Sequence, residues 1–391
     1  LSGKDTYHAG GASGDSAAHP VGILIDGAGD DRYEAQKGQD GGHAPHCFGT
    51  GVLGYGLLYD LAGNDSYNTP GYGSQGVGVV GFGLLRDFGG DDRYQCMGST
   101  QGAGLFGIGI LLDHGGSDSY DCYIQGQGFG FTLGLGLLLD LDGNDRYTAN
   151  DEDLLFPSAQ SKKHNVSLAQ GAGDGYRRDY VDGKSLAGGV GMLLDARGDD
   201  SYSGGVFSQA VGYWYGIGIL DDRAGNDTYR GVWYAQSATA HFAVSLLCEG
   251  GGDDRYKVTN CVSNGAAHDF SVSLFIEEGG NDIYEMPGVV LGAALTQSVA
   301  LFYELAGDDQ YKTGYGGGLG TARNQSKTGW RSGTATMAVF IDLEGKDTYP
   351  RGCPGNGGVW VRAKDFPNQR GVGIDVGAPE PAKEEQPKAK K

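Results

Sequence analysis

The chain repeats. An Asp/Glu-x-x-Gly-x-Asp-x-Tyr corner, complete in Asp60 to Tyr67 and again in Asp140 to Tyr147, places its second aspartate at Asp5, Asp31, Asp65, Asp92, Asp118, Asp145, Asp200, Asp227, Asp254, Asp282, Asp309 and Asp347. Successive intervals are 26, 34, 27, 26, 27, 55, 27, 27, 28, 27 and 38 residues. A unit of about 27 residues encloses no core of its own, so each copy must bury its apolar side on its neighbours, and the chain has to form an elongated array.

The array is built from strands. Between corners runs a second signature, seen from Gln75 to Asp87, Gln101 to Asp113 and Gln209 to Asp221, in which glycine alternates with apolar residues. That period of two marks β-strands, and each interior glycine would cost a helix about 1 kcal/mol relative to alanine. Glycine supplies 75 of 391 residues, but not at every third position, which excludes collagen, and 23 tyrosines punctuate it. Twenty-seven residues at about 3.3 Å each span roughly 90 Å, enough for two or three short strands with their corners. The expected fold is all-β: a single-chain parallel β-helix, or β-solenoid, of about 11–12 coils. It should occupy 1–350, with insertions near 34–46, 150–187 and 312–332, followed by a cap or irregular segment over 351–377. A disordered tail is expected over 378–391, where Pro, Glu, Lys and Ala dominate.

Stacking makes rows. Leu57, Leu84, Leu111, Leu138 and Leu193, on the strand leading into the corner carboxylate, are expected to form an inner leucine stack. Gln75, Gln101, Gln127, Gln170, Gln209 and Gln236 read as an amide ladder running from coil to coil. The residue between Asp and Tyr is mostly polar and should point outward, and the glycine-lined face implies either close packing of another sheet or a flat open surface. Cys96 and Cys122 fall two residues after a repeat tyrosine on neighbouring coils, where buried thiols or a disulfide would both fit. His241 and His268 read as a vertically stacked structural pair without a visible third metal ligand.

The corners also align charge. The first carboxylates (Asp26, Asp60, Asp87, Asp113, Asp140, Asp195, Asp222, Glu249, Glu277, Glu304, Asp342) form one file and the second aspartates another. Charges about 4.8 Å apart repel by about 0.9 kcal/mol in water and about 3.5 kcal/mol at an effective dielectric of 20. Turn amides donating hydrogen bonds are one answer; Ca²⁺, a hard cation that takes several oxygen ligands, is the other. The Gly-Asn-Asp-x-Tyr and Gly-Gly-Asp-Asp-Arg-Tyr corners resemble the aspartate turns of RTX-type calcium β-rolls of secreted bacterial proteins. The likeness covers the corners alone, since those rolls repeat every nine residues. It implies calcium at Asp60, Asp65, Asp87, Asp92, Asp113, Asp118, Asp140 and Asp145.

Function must come from the chain's surface. With 49 acidic against 29 basic residues and a net charge of −20, the chain repels nucleic acid, and no apolar run approaches the length of a membrane span. The sequence starts inside a repeat, so a signal peptide would lie outside it. It contains no Gly-x-Ser-x-Gly, His-Glu-x-x-His or P-loop. Departures from a repeat are where solenoids place function. The insertions near Gln39–His46 and Arg323–Arg331 are expected to emerge along one edge, between the Tyr and Gln segments. The 55-residue interval reads as one inserted coil aligned through Gln170, the alternative being a degenerate corner at Gly173, Asp174 and Tyr176 that divides two ordinary coils. Candidate binding residues are Lys162, Lys163, His164, Arg177, Arg178 and Asp179 in the long interval, with Trp330 and Arg331 in the last insertion. The expected function is a non-catalytic extracytoplasmic scaffold that presents a rigid surface to protein partners or a surface glycan, without membrane insertion. The alternative is a carbohydrate-active enzyme, because parallel β-helices resemble the scaffolds of polysaccharide lyases and related hydrolases.

Overall fold

A computed structural model describes residues 3–8, 14, 20–35, 46–314, 318–323, 328–362 and 369–377. The insertion residues 36–45, together with Lys327 and the tail over 378–391, lie outside the described residues. The molecule is a parallel β-solenoid of about 11 turns. Three sheets run along it, of 11, 10 and 13 strands, and each strand pairs in parallel with its equivalent one coil on. Register is strictly like with like: Tyr67 lies against Tyr94, Gly83 against Gly109, Asp60 against Asp87. An antiparallel pair, Val359–Val361 on Gln369–Asp375, ends the largest sheet.

One coil shows the plan. The tyrosine strand Arg93–Gly98 leads to a corner at Gln101 and Gly102, both with left-handed φ (50° and 75°). A two-residue strand, Gly104–Leu105, precedes a second corner at Phe106 (φ 52°); the leucine strand Ile108–Leu112 then runs into the aspartate corner. The Gln-to-Asp segment is therefore two strands joined by a corner rather than one continuous strand. Its alternation persists through both strands and conceals the bend.

The glycine face is a contact between backbones. A Cβ on Gly104 would lie 2.1 Å from the Leu135 carbonyl oxygen, and one on Gly109 would lie 2.0 Å from that of Ala103. Any larger residue would force the two sheets apart, so close internal packing, and not an open flat surface, explains the glycines. On the other side of the interior the tyrosines stack without a break from Tyr7 to Tyr349, with ring centroids 4.5 to 5.2 Å apart.

Two rows differ from the sequence reading. The inner leucines are Leu58, Leu85, Leu111, Leu138 and Leu193, whereas Leu57 and Leu84 stand on the outward side of the same strand. The corner carboxylate itself points inward, so the inner row must be two residues before it, as the strand period requires. The glutamines do not bond amide to amide. Gln127 Nε2 donates to the Tyr120 carbonyl of its own coil (2.7 Å) and to the Thr148 carbonyl of the next (3.2 Å), and Gln75, Gln101 and Gln170 do likewise. A left-handed corner aims each amide at backbone groups across the interior instead of at the amide above.

The long interval is one coil. Arg146 pairs directly with Ser201, and Gln170 lies between Gln127 and Gln209, with Gly171 donating to the Gln127 carbonyl and Ala210 to that of Gln170. Cys96 and Cys122 are buried free thiols. At the far end Trp360 covers the interior, packing on Phe340 and Tyr349 and donating its indole N–H to Leu319 O at 3.1 Å.

Candidate functional site

The aspartate corner is held by two interlocking sets of hydrogen bonds. Each second-file aspartate accepts, on Oδ1, the backbone N–H of the equivalent aspartate one coil earlier: Asp65 to Asp92 at 2.6 Å, Asp92 to Asp118 at 2.6 Å, Asp118 to Asp145 at 2.7 Å. Each first-file carboxylate accepts the hydroxyl of the tyrosine one coil earlier, as in Tyr94 to Asp113 and Tyr120 to Asp140, both 2.6 Å. In the coils up to Asp195 its other oxygen caps its own turn, as in Gly89 N–H to Asp87 and Gly115 N–H to Asp113 at 3.0 Å. The corner glycine is obligatory: Gly116 has φ +153°, and a Cβ there would lie 1.4 Å from the Gly90 carbonyl oxygen.

This network leaves one second-file oxygen per coil unsatisfied and, in later coils, a first-file oxygen as well, on Asp222, Glu277, Glu304 and Asp342. Oδ2 of Asp31, Asp65, Asp92, Asp118, Asp145, Asp200, Asp227, Asp254, Asp282, Asp309 and Asp347 is buried and receives no donor. It faces other carboxylates. Asp65, Asp87 and Asp92 bring ligand oxygens within 4.8 Å of one another, as do Asp92, Asp113 and Asp118, and Asp118, Asp140 and Asp145. Asp60 joins Asp31 and Asp65 in the same way, so all eight predicted metal residues fall in such groups. Among the described residues, no ion pair reaches either file. Burial, then the neighbouring Asp87 and Asp113, push Asp92 up to about 11; burial and Asp113 push Asp118 to about 9.

A proton shared between carboxyl groups satisfies such oxygens, and so does a cation. The residues fit a hard cation well. Oxygens on opposite sides of Ca²⁺ at 2.3–2.6 Å stand about 4.6–5.2 Å apart, and carboxylates are its preferred ligands. Each group contributes three carboxylates to a shell of six to eight oxygens, and one divalent ion per coil would neutralise the two carboxylates that coil supplies.

The insertions make a second constellation. Trp330 and Arg331 follow the glycine-strand residues Ala322 and Arg323, so this insertion leaves from the corner between the glycine and leucine sheets, not from the Tyr–Gln edge. The loop carrying Arg177 follows Gly173–Asp174 at the same corner. Both reach a single ledge. Arg177 Nη1 donates to Tyr213 Oη at 2.8 Å, its Nε to Asp179 at 3.0 Å, and its guanidinium lies 4.8 Å over Trp214. Arg331 pairs with Asp269, whose other oxygen holds His241 Nδ1 at 2.6 Å. Burial raises the Asp269 carboxyl, but the hydrogen bonds from His241 and Arg331 outweigh it and hold Asp269 at about 2. Asp174, where the Arg177 loop begins, is driven up to about 7 by burial.

Arg177, Asp179, Trp330 and Arg331 thus come together, and the remaining predicted binding residues do not. Lys162 and Lys163 are exposed on the earlier half of the long insertion, His164 pairs with Asp151 at 2.5 Å, and Arg178 is tied to Asp182 within its own loop. His241 and His268 are neighbours but not stacked: the rings are tilted by 52° with centroids 5.9 Å apart, because Asp269 turns His241 aside. Sequence reading missed Asp269, Tyr213 and Trp214. The one available signal was that the corner between the glycine and leucine strands, which turns on Val80 or Phe106 alone in early coils, lengthens by one residue to Trp214–Tyr215, His241–Phe242 and Asp269–Phe270 in later coils.

No known family model, curated protein or solved structure matches the chain. Its chemistry therefore rests on these two constellations. No helix among the described residues is long and apolar enough to cross a membrane.

Proposed function

We propose that the chain is a non-catalytic extracytoplasmic scaffold, a rigid rod that presents a repetitive surface for assembly or adhesion and is stiffened by Ca²⁺ along its aspartate corners. One observation carries the reading: two parallel files of buried carboxylates without basic partners, which converge in groups of two second-file aspartates and one first-file aspartate. Buried charge of one sign is costly unless neutralised, and millimolar calcium outside the cytoplasm would occupy even weak oxygen sites. Metal bound to the folded state alone stabilises by mass action. The expected result is a melting temperature that rises steeply with added CaCl₂ and collapses in excess chelator, with equilibrium dialysis giving several ions per chain. An unchanged melting temperature in chelator discards calcium.

A carbohydrate-active enzyme is the second reading, favoured by the meeting of two insertions on one ledge. Turnover of uronate-containing or neutral polysaccharides, abolished by Arg177→Ala, would support it. Silence across such a panel leaves the scaffold.

A further inference from the structure

The ledge has the composition of a ligand site, and the rod around it does not. In the early coils this corner turns on one exposed left-handed residue, Leu53, Val80 or Phe106. Where the two insertions bracket it, the corner is one residue longer: the outer row continues as the stacked rings of Tyr215, Phe242 and Phe270, and an added row of Trp214, His241, Asp269 and Thr296 precedes it, each bonded through the backbone to the next coil. The added row is a local departure from the repeat. It places polar chemistry under two arginines on a molecule whose net charge is −20.

Two of the polar groups gathered there, Trp214 and Arg331, are donors with capacity to spare. Trp214 is 6% exposed, and its indole N–H is buried without an acceptor. Arg331 uses Nη1 on Asp269, and its other N–H groups have no acceptor among the described residues. His241 is oriented through Nδ1 toward Asp269. A buried donor without a partner is costly, so the Trp214 N–H is complementary to an acceptor, and arginine donors match the planar fork of a carboxylate. Flanking the polar row are aromatic faces: Trp330 is 69% exposed and stacks on Phe270 at 5.3 Å, and Tyr180, 71% exposed, lies against Arg177. Exposed aromatic rings beside hydrogen-bonding groups suit a ligand that is apolar on one face and hydroxylated at its rim, as a sugar ring is.

We infer that this ledge binds an acidic saccharide, its carboxylate held by Arg331 and Arg177 beside His241, with sugar rings laid on Trp330 and Tyr180. The inference deepens the scaffold reading on which it rests by naming what the rod holds. It uses none of the corner carboxylates.

The test is isothermal titration of the full chain with trigalacturonate, with galactotriose as the neutral counterpart and triglutamate as the acidic peptide. Trigalacturonate should saturate and bind about tenfold or more tightly than either control. Arg331→Ala, Arg331→Gln and Arg177→Ala should each weaken it about tenfold, while Arg178→Ala, in the same loop but tied to Asp182, should leave it unchanged. Equal binding of all three probes, indifference to Arg331→Gln, or no saturation would overturn the assignment. The melting response to calcium of these variants reads the scaffold separately, so either reading can fail alone.

Discussion

At the scale of single residues, the corner is an exchange of hydrogen bonds between coils, and Tyr120 shows what one of them contributes. Its hydroxyl is fully buried and donates to Asp140 Oδ2, a carboxylate with no basic neighbour. Tyr120→Phe keeps the ring in its stack and removes only that donor. The variant should lose about 1–3 kcal/mol in urea unfolding, because the carboxylate remains buried and unpaired. Tyr123→Phe, which removes a surface hydroxyl bonded to Asp153 at 3.1 Å, should be close to neutral. A second residue matters at the end of the file. Asp347 has no aspartate above it, and Asn356 substitutes: its Oδ1 accepts the Asp347 N–H at 2.8 Å, and its Nδ2 donates back to Asp347 O at 2.7 Å. Asn356→Ala should cost about 1–2 kcal/mol and raise amide exchange first in the last coil, since solenoids open from their ends. The aspartates and tyrosines were legible as rows in the sequence. That the hydroxyl of one coil meets the carboxylate of the next was not, because it depends on the offset between two sheets on opposite sides of the interior.

At the scale of elements, the strands follow from alternation and the corners do not. Alternation in Phe82–Asp87 gives the strand, but its inward residues are Gly83, Leu85 and Asp87 and not the Leu84 expected. The bends at Gln101 and Phe106 use left-handed backbone on residues other than glycine, a conformation that no residue type announces. Such strain is tolerated because the coils above and below over-determine it. Contact between the glycine and leucine sheets leaves no room for a methyl group, so Gly109→Ala should destabilise by about 3 kcal/mol, the upper range for overpacking, as read by thermal melting. Gly183→Ala is the control: nothing lies within 4 Å of the added carbon, and only its φ of 73° opposes the change. Equal melting of the two variants would mean that the sheets are not in backbone contact. The ledge was half legible for the same physical reason. Arg177 and Arg331 stood out as departures from the repeat, but their meeting point is a corner row whose members lie 27 or 28 residues apart and differ in every coil.

For the whole molecule, the two carboxylate files couple stability to pH in a direction opposite to that of most acidic proteins. Unfolded aspartates titrate near 4, whereas burial holds Asp87 and Asp140 at about 7 and Asp118 and Asp227 at about 9 in the fold. The folded chain therefore binds more protons than the unfolded chain between these limits, and stability falls wherever that is so. The contribution of the files is complete below about pH 4 and is lost progressively as pH rises through about 7 to 9. Calcium bound as proposed would reverse the dependence, because a cation takes the same oxygens only after their protons leave. In chelator the melting temperature should fall continuously from pH 5 to pH 9. With calcium it should stay level or rise, the two curves should converge toward pH 4, and calcium binding at pH 7 should release protons into a weakly buffered solution. A rod whose melting temperature in chelator climbs between pH 5 and pH 9 would have carboxylates stabilised as anions by the turn amides alone, and the files would then need neither protons nor metal.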